Sequence, residues 1–109
     1  MRGVRVEEYS SKIKSGEVDR LFDAILTLKT PEECYKFFED VCTINEVQAM
    51  AQRLQVAEML KQRKTYIDIA DTTGASTATI SRVNRSLNYG CDGYKIVLER
   101  LKEKDSSRE

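Results

Sequence analysis

Residues 65–85 read TYIDIADTTGASTATISRVNR, and the spacing inside this stretch decides the fold. Ala70 stands four residues before Gly74, Ile80 six after it, and Val83 three after Ile80. In a helix-turn-helix each of these positions has a physical requirement. Two closely crossing helices leave room for only a methyl at Ala70, and Gly74 takes the sharp turn without a side-chain clash. Ile80 and Val83 point back from the second helix onto the first and hold the crossing angle, with Ile69 in the same small core. Thr65, with Asp68 three residues on, caps a first helix over about 66–72, and Ser76 or Thr77 caps a second running to about 86.

The opposite side of that second helix carries Thr77, Ala78, Ser81, Arg82 and Arg85. Short residues bring a backbone close to a major groove about 12 Å wide. Arginines reach phosphates or guanine edges. Together with Ser76 these are the candidate DNA contacts, and no acid lies between Gly74 and Cys91. The same pattern also fits a compact helical corner whose arginines are simply solvated. Lys61, Arg63 and Lys64, just before the motif, either touch phosphates or complement the dipole at the end of the preceding helix. Tyr66 either braces the motif's first helix or meets a nucleic-acid backbone. Arg53 either pairs with a nearby carboxylate or holds an anion or small ligand.

Outside the motif the chain reads as helix almost throughout. Leu21, Ile25 and Leu28 recur at spacings of three and four, which predicts a helix over roughly 16–28. Thr30-Pro31-Glu32-Glu33 places a cap, a proline at the first helical position and an acid two residues further on, so a short helix starts there. Thr43-Ile44-Asn45-Glu46 has capping-box spacing and opens the longest helix, about 44–62. Val47, Ala51 and Leu54 share one side of it, and Met50, Val56 and Leu60 widen the apolar stripe onto a second. That two-sidedness predicts burial against a partner as well as against its own chain. Asn88-Tyr89-Gly90 reads as a break, Asp92 as the cap of a last helix, and the charged tail from Lys102 as frayed.

Composition narrows the classes. The 109 residues carry 18 basic and 18 acidic side chains, for a net charge of zero, and no histidine. The zero is a sum over unlike segments. Residues 31–50 hold Lys36 against five acids, whereas residues 51–89 hold six basic residues against three acids, so the candidate reading head lies in the basic part. No run approaches the length of a membrane span. Met1-Arg2-Gly3-Val4-Arg5 leads into Glu7 and Glu8, which predicts no signal peptide. Cys34, Cys42 and Cys91 are an odd number without metal-ligand spacing and read as free thiols in a reducing, cytoplasmic compartment, with Cys34 and Cys42 as small buried residues. Histidine-based acid–base chemistry is excluded, and with no metal cluster, nucleophile–base pair or phosphate-cradling loop neither a catalytic residue nor a cofactor is expected.

The chain resembles the Trp repressor-like superfamily, and within it the YerC/YecD branch. The resemblance runs from about Val18 to Leu101. It is carried by Leu28-Lys-Thr-Pro-Glu-Glu33, by Arg53-Leu-Gln-Val-Ala-Glu-Met-Leu60, and above all by Gly74-Ala-Ser-Thr-Ala-Thr-Ile-Ser-Arg-Val-Asn-Arg-Ser-Leu87. It implies an all-α protein of about six helices, an intertwined homodimer and palindromic operator DNA. Helix 44–62 would then lie in the dimer core. Residues matching Thr77, Ala78 and Ser81 approach bases or nearby backbone in the repressor. Residues matching Tyr66 and Ile67 lie near the backbone and groove there, but Ile67 departs from the repressor, which has a basic residue at that position, so the resemblance does not carry that DNA contact over. Arg53 and Arg82 match the arginines that sandwich the corepressor indole, and Thr79 and Ser86 match other pocket positions. Val83, however, stands where the repressor's glycine leaves room for the ligand, so packing predicts a filled or reshaped pocket and no dependence on tryptophan.

The expectation is therefore a single helical domain over 1–109, with the helix-turn-helix at about 66–86 and about ten N-terminal residues and the tail 103–109 frayed. Its expected role is that of a cytoplasmic, homodimeric, sequence-specific regulator of transcription, a repressor, with double-stranded DNA as partner and no membrane association. The rival expectation is a helical adaptor module that does not read DNA.

Overall fold

The computed structural model describes residues 9–108 and contains six helices there, with no strand among the described residues. They are α1 (Gly16–Ile25), α2 (Pro31–Val41), α3 (Ile44–Lys61), α4 (Tyr66–Thr73), α5 (Thr77–Tyr89) and α6 (Gly93–Ser107). The all-α architecture predicted from sequence is the one observed. Contacts divide the chain into two compact units, one ending at Val41 and one running from Cys42.

In the first unit, the Ser15 hydroxyl opens α1 by accepting from the Val18 amide at 3.1 Å. The helix stops at Ile25, three residues short of the predicted end. The Thr27 hydroxyl donates to the Ala24 carbonyl at 2.7 Å, and the Thr27 and Leu28 amides each bond three residues back at 3.1 Å, which tightens the chain out of α geometry. Thr30 caps α2 through the Glu33 amide at 3.1 Å, and the Glu33 carboxylate accepts from the Lys29 amide at 2.8 Å. Val18, Leu21, Phe22 and Ile25 line one side of α1, yet neither α1 nor α2 contains a buried residue within the single chain. Leu21 is 39% exposed and Phe22 47%. Cys34, expected inside, is exposed because it lies on α2, and Cys42 is half-buried; the three thiols are free.

The second unit holds the core. The capping box predicted at Thr43 forms: its hydroxyl accepts from the Glu46 amide at 3.1 Å and its amide donates to the Glu46 carboxylate at 2.7 Å. α3 packs against α4, α5 and α6, while α4 meets α5 and α5 meets α6. Val56, Ile69, Ile80 and Val83 are the largest fully buried side chains, each contributing about 1.5–3 kcal/mol by leaving water. α5 continues past the predicted break to Tyr89, helped by the Asn88 side-chain amide donating to the Asn84 carbonyl at 2.9 Å. Gly90 ends it, and a β-carbon there would collide with the Ser86 carbonyl.

Asp92 does not cap α6 as predicted. It adopts a left-handed conformation (φ 68°) with no side-chain capping bond, and its carboxylate lies 3.7 Å from the Lys95 ammonium. The tail differs as well, since α6 carries Lys102 to Ser107 as regular helix. The expectation for the N-terminal ten residues falls mostly on residues 1–8, which lie outside the described residues. Among the described residues no helix is long and apolar enough to cross a membrane.

Candidate nucleic-acid interface

The motif at 65–85 folds as two helices and a turn. The Thr65 hydroxyl accepts from the Asp68 amide at 3.1 Å to start α4. Gly74 then takes φ +76°, and its amide donates to the Ala70 carbonyl at 2.8 Å. A side chain at that φ is strained whatever the space, which is why glycine is required. Ser76 resolves the choice of cap for α5. Its hydroxyl accepts from the Thr79 amide and donates to the Thr79 hydroxyl oxygen, both at 3.1 Å. Ile80 and Val83 are buried, and Ala70 is half-buried against the same cluster.

Three residues that hold the turn were not singled out from sequence. The Gln52 side-chain amide on α3 donates to the Thr73 carbonyl at 3.1 Å. The Thr73 hydroxyl donates to the Ile69 carbonyl at 2.7 Å and accepts from the Ala75 amide at 3.1 Å. Ala75 is itself buried in the core. A threonine directly before the turn glycine is a local signal for such back-bonding. Gln52 gives none, because its partner is 21 residues away.

Outward-facing residues of α5 form two adjacent rows. Thr77, Ser81 and Arg85 stand four apart, as do Ala78, Arg82 and Ser86, and all six are exposed. Ser76 is exposed beside them, whereas Thr79 is half-buried. Lys61, Arg63 and Lys64 are exposed at the α3–α4 junction, and Tyr66 is 37% exposed. The ion pairs among the described residues are Lys14–Asp19, Lys36–Glu32 and Lys95–Asp92, so none of them engages a basic side chain of the motif or the junction.

That junction has an unusual backbone. The Arg63 amide donates to the Leu60 carbonyl at 3.0 Å and the Lys64 amide to the Met59 carbonyl at 3.1 Å, the paired bonds of a Schellman turn. Its left-handed position, normally a glycine, is Arg63 at φ 64°. A basic side chain is thus held at the end of α3, pointing from a backbone conformation that disfavours any side chain.

The four positions considered for an effector are not brought to one cavity. Ser86 lines an open, largely apolar cavity of about 530 Å³ with Leu54, Gly90, Cys91, Gly93, Tyr94 and Val97; Arg53, Thr79 and Arg82 do not line it. Arg53 is half-buried and Val83 is 2% exposed within the core. Among the described residues no cluster of carboxylates and thiols has the grouping to hold a metal ion.

Comparison with known proteins gives consistent matches. The family model described as Trp repressor protein matches residues 16–102. An uncharacterised protein of Bacillus subtilis (strain 168), YerC, is 58% identical over 95 residues, covering 87% of this chain and 91% of its own. Among solved structures, a TrpR-like protein from Eubacterium eligens ATCC 27750 superposes with a TM-score of 0.81 at 64% identity, over 84% of this chain and 94% of that one. A candidate Trp repressor from Staphylococcus aureus gives a TM-score of 0.80 at 57% identity, over 84% and 91% of the two chains.

Proposed function

Because the chain belongs to the Trp repressor family, we propose that it is a cytoplasmic, DNA-binding regulator of transcription. It acts as a repressor, and as a homodimer on a palindromic operator. The observation that carries this reading is the exposed side of α5, two rows of short residues that also bear Arg82 and Arg85. Thr77, Ala78 and Ser81, with Ser76 at the cap, let the helix lie deep in the major groove, and the arginines supply charge-assisted contacts. Lys61, Arg63, Lys64 and Tyr66 flank that face and meet the phosphate backbone. Such a protein works by occupying DNA and needs no catalytic group.

The apolar residues left uncovered on α1 and α2, with Ile44 and Met50 on α3, support the homodimer. Small domains bury too little of their own surface to leave such faces in water, and a second copy covers them at no cost in new sequence. Two copies of α5 then enter successive major grooves about 34 Å apart. Val83 closes the place where a corepressor ring would lie, so binding to DNA does not wait for tryptophan.

Selection of duplexes from a random pool tests the reading. The expected result is an enriched palindrome with half-sites about one helical turn apart, bound by a dimer. No enrichment, together with no retention on DNA even at low salt, would refute it and favour an adaptor role.

A further inference from the structure

α4 differs from α5 in what it offers a nucleic acid. It contains Asp68 and Asp71 and no basic residue, so it brings no cation to a phosphate. What it exposes instead is apolar. Ile67, the second residue of α4, is 74% exposed, while Ile69 two positions on is fully buried. A β-branched side chain left in water at the N-terminal end of the motif's first helix contributes nothing to the core around Ile69 and Ile80. Tyr66, beside it, is also 37% exposed. Both stand at the N-terminal end of the helix that packs directly on α5.

The major groove presents one apolar group on its base edges, the C5-methyl of thymine. We propose that Ile67 reads a thymine methyl in each half-site and so determines specificity for an A·T pair beside the bases faced by α5. This inference rests on the DNA-binding reading and adds a residue and a base to it. The adjacent carboxylates sharpen the choice: Asp68 and Asp71 repel phosphates, so Ile67 gains more from a base edge than from the backbone.

Deoxyuridine substitution tests this one methyl at a time. In a duplex enriched by the selection above, each thymine is replaced singly by deoxyuridine and affinity is measured by anisotropy for the wild-type protein and for Ile67→Ala. One thymine per half-site is expected to weaken wild-type binding about fourfold when its methyl is removed, and about fifteenfold when both half-sites are changed, from the burial of one methyl at each. Ile67→Ala is expected to bind the thymine and deoxyuridine duplexes equally. The residue is exposed, so an unchanged helical spectrum and melting temperature should accompany that result. Wild-type protein indifferent to every deoxyuridine, or Ile67→Ala retaining the full sensitivity, would overturn the inference while leaving DNA binding in place. Failure to enrich any duplex would overturn both.

Discussion

Arg63→Gly separates stability from binding, because the two should move in opposite directions. Arg63 occupies the left-handed position of the turn that ends α3, at φ 64°. An L-residue there is disfavoured by roughly 1–2 kcal/mol, and the extra freedom of an unfolded glycine returns part of that, leaving a net gain of about 1 kcal/mol for the glycine variant. For a domain of this size the gain corresponds to a rise in melting temperature of about 4 °C or somewhat more. Unfolding should be followed at a fixed protein concentration, since the melting point of the proposed dimer depends on it. DNA affinity should fall in the same variant. Losing one phosphate contact per protomer removes two from the dimer, which lowers the slope of log K against log salt by about 2. Arg63→Ala is the control: it should lose the same affinity without the thermal gain, because it retains a β-carbon. A glycine variant melting at or below wild type would refute the strain argument, and an unchanged salt slope would refute the phosphate contact.

Replacing Arg82 and Arg85 together with alanine should weaken binding at least tenfold while dimer mass and helical content stay the same, as read by anisotropy, sedimentation and circular dichroism; unchanged binding would remove α5 as the reading helix. Gly90→Ala should destabilise by about 1–3 kcal/mol in urea unfolding, since its methyl meets the Ser86 carbonyl that accepts the last bond of α5. Tryptophan titrated into the protein should give no saturable heat, and a clear micromolar isotherm would show that Val83 does not close the pocket.

What could be read from sequence was whatever depends on neighbours a few residues apart. The caps at Thr30, Thr43, Thr65 and Ser76 each bond an amide three positions on, so the local order of residues carried them. Gly74, Ile80 and Val83 were legible for a related reason, because a helix-turn-helix compresses a tertiary contact into one short stretch. Asp92 failed because a capping residue must be extended, and here the chain enters α6 through a left-handed turn that its side chain does not control. Cys34 is exposed on α2, a helix without a buried residue, which residue type alone does not report. Gln52 was invisible for the opposite reason: its role exists only once α3 and the motif's turn have met.

That hydrogen bond gives α3 a mechanical role. The Gln52 side chain grips the carbonyl just before the turn, and Val56 and Ala57 on the same helix sit in the core under α4 and α5. The helix-turn-helix head is thus mounted on α3 at two levels, one directional and polar, one broad and apolar. A small rotation or slide of α3 would carry the head with it as a lever carries its tip. In the proposed dimer, whatever sets the angle of α3 thereby sets the separation between the two copies of α5, and a change too small to disturb any contact within the head would put it out of step with the groove.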